Sequence, residues 1–522
     1  MVAGLRRPTY AFWDVESLKE TQTKTKQLNH CIIGLDIGTT TAKAIAYQMD
    51  GTEITSDSEL VTTRTGEDGS AVQEPEAVYE SVTKVFSSVC RGVIERGLCI
   101  DAIGFSAAMH SLIPVDAEDQ PLFPAMLWLD ARPYREAAAL WSSDTGKDIY
   151  HHTGTPIHAM APVAKIAWFQ SAYKDLAQRT ARYVSIKEYV WHRWFGVWEV
   201  DHAVAAATGL FDGATFDWYA PALTYAGISA QQLSTIVPTS HIRSLDVTPF
   251  LGTSEASSHL VPVCIGGSDG VLATVAAGAM SGNQMILTMG TSLAIRTGHG
   301  KPTSNAEIRA FSYPLAPNQY VVGAPSNSGG VVLDWLYRNV LTEDGADFDE
   351  RFPRLCEEAA SLSSDDLFCI PYVSGERAPI WDESATASFI GLRRHHQQGH
   401  LMRAAIEGVL FNAYWIAHQL MDSLGTPNRL IVSGKLFQQK WVREWTANLF
   451  NLEIEAQAEM DGATLGAAMI ASEAIGGQLQ IRREVTHVTR PRADEHERLQ
   501  KKFERFRRLC AVVLPESTMQ SR

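Results

Sequence analysis

A phosphate-loop signature occurs twice in this chain, as Leu35-Asp36-Ile37-Gly38-Thr39-Thr40-Thr41-Ala42-Lys43 and again as Leu287-Thr288-Met289-Gly290-Thr291-Ser292-Leu293-Ala294-Ile295. Each copy follows an apolar run (Cys31 to Leu35; Met285 to Leu287) and precedes another, so each reads as a strand, a tight turn and a second strand. The glycine lets backbone N–H groups approach an anion, and the hydroxyls behind it add donors. Two such turns can face one triphosphate. Only the first copy carries a carboxylate, Asp36, two residues before its glycine. A carboxylate beside a phosphate cradle repels the phosphate unless a cation lies between, and Mg²⁺ suits one or two carboxylates together with phosphates and waters. The other reading of Asp36 is a side chain that caps its own turn.

A chain of 522 residues is too long for one core, and the half-chain spacing of the two signatures favours two large lobes. A net charge of −14 argues against nucleic acid or an anionic membrane as the main partner, so any anionic substrate must be met by locally placed cations. The seven cysteines form no C-x-x-C pair and read as buried, reduced thiols of a cytoplasmic protein. No stretch approaches a membrane span, and residues 1–29 lack the apolar segment of a signal peptide, which reads as a disordered extension.

Around the first loop, an Asp50-Gly51 hairpin, a helical pattern from Pro75 to Gly97 and a strand at Asp101 to Ser106 open an α/β lobe with a mixed sheet. A second lobe opens in the same terms, with a strand at Val261 to Gly266, a helix at Val271 to Ala279 and the hairpin Met285 to Thr297. Leu401 to Leu420 is apolar on nearly every side and predicts a buried helix. Arg492 to Leu514 predicts an amphipathic helix with a solvated charged face.

Gly266-Gly267-Ser268-Asp269-Gly270 sits between a predicted strand and a predicted helix, with little steric cover around its carboxylate. Asp269 is either a helix N-cap or a general base placed to accept the proton of an attacking hydroxyl during phosphoryl transfer.

With these segments the chain resembles the FGGY family of carbohydrate kinases. The resemblance runs from about Ile32 to about Glu473 and includes Ala108-Met109-His110-Ser111, Trp128-Leu129-Asp130-Ala131-Arg132, Thr153-Gly154-Thr155-Pro156-Ile157-His158, Val200-Asp201-His202, Gly375-Glu376-Arg377-Ala378-Pro379-Ile380-Trp381 and Gly466-Ala467-Ala468. It implies an α/β fold of two actin-like (ribonuclease-H-like) lobes with a central cleft. The expected layout is a sugar-binding lobe over 30–262, a nucleotide-binding lobe over 263–490 and a tail over 491–522. It implies ATP and Mg²⁺ as cofactors, Asp36 toward the metal and Asp269 as the base. Thr39, Thr40, Thr41, Lys43, Gly290 and Thr291 match the phosphate positions, and Gly330, Asp334 and Gly434 the adenosine side. Lys435 departs from the family's usual second glycine, and there it either crowds the nucleotide or adds a phosphate or ribose contact.

Met109, His110, Trp128, His158, Met160, Asp269 and Gly270 fall on the sugar side. Met109-His110 in place of an Arg-Glu pair resembles the gluconokinase branch, in which a histidine donates to a carboxylate or hydroxyl and a methionine leaves room for a longer chain. His158 has a second reading as a structural hydrogen-bonder. The reaction so implied is transfer to the primary hydroxyl of a sugar acid, D-gluconate first. A ketopentose or polyol kinase is the alternative, and a silent actin-like nucleotide sensor or switch the less favoured one. A homodimer is left open. Lys165 reads as a helix-face charge or a cleft cation, Glu376 with Arg377 as a loop-fixing ion pair, and His395, His396 and His400 as a surface cluster without metal-ligand spacing.

Overall fold

The computed structural model describes residues 30–251, 259–341, 348–364, 366–458 and 460–514, so the extension expected over 1–29 lies outside the described residues. Strands β1 (His30–Ile37), β2 (Thr41–Gln48), β3 (Glu53–Leu60), β4 (Cys99–Ala107), β5 (Ile242–Asp246) and β6 (Leu260–Ser268) form one sheet in the order β5-β6-β4-β1-β2-β3. Strands β7 (Gln284–Met289), β8 (Leu293–His299), β9 (Phe311–Ala316), β10 (Gln319–Ser326), β11 (Arg429–Ser433), β12 (Glu453–Gln457) and β13 (Val485–Thr489) form another, ordered β9-β10-β8-β7-β11-β12-β13. Within each, a three-strand antiparallel meander (β3-β2-β1; β10-β8-β7) continues into two parallel strands (β4 and β6; β11 and β12). The architecture is therefore duplicated, and the repeated signature marks the first hairpin of each copy.

The helices that matter for the site are α1 (Pro75–Glu95), α2 (Pro162–Ala172), α3 (Ile186–Phe195), α4 (Asp269–Ala276), α5 (Gly330–Leu336), α6 (Gln398–Leu424), α7 (Gly462–Ala474) and α8 (Ala493–Val513). In α1, Pro75 stands in the first turn and Val78, Val82, Val85, Phe86, Val89 and Val93 form one buried stripe, each side chain contributing about 1.5–3 kcal/mol by leaving water. α6 is buried along most of its length, as its uniform apolarity predicts. α8 buries Leu499, Phe503, Phe506 and Cys510 and turns its other, largely charged positions outward.

Three expectations change. The strand read as the opening of the second lobe is β6, and it pairs with β4 in the first sheet. Sequence order hid this because the pairing joins residues more than 150 positions apart. α7, near the end of the chain, returns to that same sheet: a Cβ at Gly34 would lie 1.9 Å from the Thr464 carbonyl oxygen, and one at Gly104 2.1 Å from that of Ala467. Those two glycines are the condition for the contact. All seven cysteines are free thiols, but Cys99 is exposed rather than buried. Among the described residues no helix is long and apolar enough to cross a membrane.

Candidate active site

The first turn is closed by its own backbone, Gly38 N–H donating to the Thr41 carbonyl at 3.1 Å, so Asp36 is not needed as a turn cap. Ser106, its register partner on β4, donates its hydroxyl to Asp36 Oδ1 at 2.6 Å. Burial, and then the charges of Asp269 and Asp461, push the Asp36 carboxyl up to about 7. A buried carboxyl beside another is unfavourable in isolation, and one such hard oxygen donor fits Mg²⁺ when phosphates and waters complete the shell. Lys43, beside Asp36, gives its ammonium to Asp461 Oδ2 at 2.8 Å, and Asp461 also caps α7 through Thr464 N–H. Thr39 is tied on both sides: its carbonyl accepts from Gln73 Nε2 at 2.6 Å and its hydroxyl from Trp128 Nε1 at 3.2 Å. Thr40 accepts Val61 N–H through its carbonyl at 2.9 Å and leaves its side chain exposed, next to half-buried Thr41.

The second turn opens on a cavity of about 530 Å³ lined by Gly290, Thr291, Gly330, Asp334, Gly434 and Lys435, all six picked out in the sequence. Two of its glycines are packed tightly against neighbouring backbone. Gly434 has φ +119°, and a Cβ there would lie 2.1 Å from the Met289 carbonyl; at Gly330 it would lie 2.8 Å from that of Gly290. Phe352 and Arg338 complete the wall, with Arg338 Nε donating to Asp334 at 2.7 Å. Neither was legible in the sequence, since both come from helices outside the motifs. Lys435 lines this cavity at the start of a short 3₁₀ turn, Lys435–Gln438.

Asp269 is the first residue of α4, and the N-cap position belongs to Ser268, which removes the capping reading. One oxygen of Asp269 accepts Gly270 N–H at 2.6 Å; burial raises its pKa and the Arg296 charge opposes the rise. The strand end that carries it is pinned from below. Lys187 on α3 bonds Asp201 at 2.7 Å and the Gly267 carbonyl at 2.9 Å, an ion pair almost entirely out of water.

On the sugar side, the structure brings Met109 and Gly270 against Arg296: a Cβ on Gly270 would lie 3.5 Å from the Met109 methyl and 3.2 Å from Arg296 Nε. Trp128 lies under Arg377, whose guanidinium carbon is 5.0 Å from the ring centroid. His110 has positive φ, 69°, and its Nδ1 donates to the Ala207 carbonyl at 2.7 Å, while burial pushes its pKa down to about 3. Its remaining nitrogen is therefore an acceptor, which corrects the expectation of a donor to a carboxylate. His158 spends both nitrogens inside the protein, accepting Met160 N–H at 3.2 Å and facing Glu383 at 3.0 Å. The hydrogen-bonding reading of His158 holds, and its ring and buried Met160 offer surface rather than donors.

Lys165 is neither a helix-face charge nor a cleft cation. It is fully buried in α2 and donates to the carbonyls of His110 and Leu127, each at 2.6 Å, fixing the loop that presents His110. Glu376 fixes its loop through Ser326, Asn327 and Asn412 and the Arg377 amide rather than through an ion pair with the Arg377 side chain. His395, His396 and His400 cluster at the surface, and no group of three or more His, Cys, Asp or Glu arranged to hold a metal ion occurs among the described residues.

This geometry meets an independent likeness. The N-terminal domain of the FGGY family of carbohydrate kinases matches residues 31–276 and its C-terminal domain residues 285–475. The chain belongs to the FGGY family of carbohydrate kinases. It is 33% identical to a gluconokinase of Bacillus subtilis over 453 residues, covering 85% of this chain and 88% of that one. The crystal structures of a gluconate kinase and of a ligand-bound xylulose kinase, both from Lactobacillus acidophilus, each match with a TM-score of 0.84 and 29% identity over 92% of this chain and 98% of theirs. The two duplicated sheets are thus the actin-like, ribonuclease-H-like lobes of a sugar kinase, and the FGGY chain is a phosphotransferase with an alcohol acceptor that uses ATP.

Proposed function

We propose that the chain transfers the γ-phosphoryl group of ATP to the primary 6-hydroxyl of D-gluconate. The sugar occupies the side of the cleft bounded by Met109, His110, Trp128 and Gly270, and the nucleotide the cavity below Gly290 and Thr291. Asp269 accepts the proton of the 6-hydroxyl while that oxygen forms a bond to the γ-phosphorus, the bond to the β–γ bridging oxygen breaks, and ADP leaves. The donors of both turns, Thr39, Thr40, Thr41 and Lys43 on one side and Gly290 and Thr291 on the other, hold the phosphates in line. Asp36 would hold Mg²⁺, which supplies neutralisation of phosphate charge when bound. Asp334, Gly330, Gly434 and Lys435 bound the adenosine end. On this reading the sugar lobe runs from residue 30 through α4 and takes α7 back from the far end of the chain.

The observation that carries gluconate is the 33% identity to a gluconokinase, set against 24% to 27% for xylulose kinases. A ketopentose is the second reading, because a xylulose kinase structure matches as well as the gluconate kinase structure. A coupled ADP-release screen across gluconate, other aldonates, ketopentoses and polyols decides between them. Preference for gluconate is expected, and turnover of ketopentoses alone overturns the assignment.

A further inference from the structure

A sugar acid brings a carboxylate into the cleft, and the two histidines expected to meet it have no N–H to give. His110 donates its only ring proton to Ala207, and His158 is held between Met160 and Glu383. The charge must be met elsewhere. Lys165 is sealed under backbone carbonyls, Lys43 is engaged by Asp461, and Arg377 donates Nε to Asn327 Oδ1 and a terminal nitrogen to the Ser326 carbonyl, which leaves the guanidinium of Arg296.

Arg296 is unusual for its position. It interrupts a largely apolar interior strand of the second sheet, β8, flanked by β7 at Ile286 and by β10 at Gly323. From there its side chain crosses to the other lobe and lies against Gly270, where the absence of a Cβ makes room for it. Among the described residues it has no hydrogen bond and no ion pair. Burial lowers its pKa, Asp269 partly compensates, and the neighbouring Arg377 charge is close enough that Arg296 helps to depress Arg377 in turn. Two like charges are thus confined near each other, and of the two only Arg296 has no hydrogen-bond partner among the described residues. Glu376 favours the Arg377 charge, and its own oxygens are filled by Ser326, Asn327, Asn412 and the Arg377 amide, so it serves Arg377 rather than Arg296.

Position along β8 sorts carboxylate from phosphate. Thr291 marks the phosphoryl end, and at about 3.3 Å per extended residue Arg296 lies on the order of 15 Å farther along the backbone. Asp269 is placed for the reacting hydroxyl, and Arg296 makes no ion pair with it. The six-carbon chain of an aldonate separates its primary hydroxyl from its carboxylate by several ångströms, the spacing that an arm starting so far from the phosphate turn can serve.

Resting on the gluconate reading of this same site, we infer that Arg296 is the specificity-determining residue for the sugar acid, its guanidinium binding the substrate carboxylate over Gly270 with Arg377 reinforcing the field. Recognition of this kind is strong because both partners are charged and a guanidinium presents paired donors.

The test is steady-state kinetics of the full chain and of Arg296→Met and Arg296→Lys, with D-gluconate and with D-glucitol, in which a hydroxymethyl group replaces the carboxylate. For Arg296→Met, compared with wild type at a pH above the acid limb of both, the expected result is a rise in the gluconate KM of roughly 10- to 100-fold, the loss typical of a charge-assisted hydrogen bond, with little change for glucitol. Arg296→Lys recovers part of the loss. The KM for ATP, measured on each variant, stays near the wild-type value and reports a folded nucleotide site. Equal losses on acid and polyol, or a fall in kcat with KM unchanged, overturn the inference alone. A wild-type chain that turns over only neutral sugars overturns the gluconate reading and this inference together.

Discussion

The two phosphate turns share a sequence signature and a place in the fold, yet their surroundings are opposite. The first is crowded with side chains: Asp36 bonded to Ser106, Lys43 to Asp461, and Thr39 to Trp128 and Gln73. The second borders a cavity lined in part by glycine, with Gly434 and Gly330 held close to neighbouring carbonyls. On the proposed reading one hairpin serves ions and sugar and the other a nucleotide, and the choice is made by what packs next to the turn.

The largest expected effect comes from removing the proposed base, Asp269. Asp269→Asn should retain nucleotide binding and lose about 10²- to 10⁴-fold in kcat, measured by ADP release. Next, the asymmetry can be broken from both sides. Asp36→Asn should cost roughly 10²-fold in kcat and flatten the Mg²⁺ dependence. Thr288→Asp, which places a carboxylate at the matching point of the second turn, should raise the ATP KM about 10-fold by repulsion that no shared cation offsets.

Gly434→Ala tests the glycine lining itself. The substitution demands both an unfavourable φ and displacement of Met289, so the ATP KM should rise about 10-fold while gluconate binding measured without nucleotide stays unchanged. Trp128→Phe, which removes the N–H to Thr39 but keeps a ring beneath Arg377, should cost only about 3- to 10-fold in kcat/KM.

The smallest effect is a displacement of the pH profile. Asp269 must be ionised to accept a proton, so activity is present above its pKa and lost as pH falls through it. Burial raises that pKa, and the acid limb should lie above the usual carboxylate range. Arg296 favours the charged form, so Arg296→Met should move the limb further upward in a kcat-against-pH profile.

The residues legible in the sequence were those whose chemistry needs a local pattern. Gly290, Thr291 and Asp269 are readable because a turn or a strand-to-helix junction must be written in adjacent residues, and Gly330, Asp334 and Gly434 because a family resemblance supplies their positions. Arg296 left a signal too, a lone charge in a largely apolar strand, but nothing nearby named its partner. Lys165 shows the limit of such signals: a cation on a helix looks the same whether it meets water or the buried carbonyls of His110 and Leu127.

The sequence by itself determined the two turns, their flanking hairpins and the single carboxylate that makes them unequal, because these depend on residues within about one turn of each other. Tertiary structure decided that β6 joins the first sheet, that α7 returns to it, that neither histidine has a proton for the substrate, and that Arg296 reaches Gly270 across the cleft. Each of these rests on contacts between segments far apart in the chain, and long-range packing is set by the shape and burial of whole surfaces rather than by neighbouring residues.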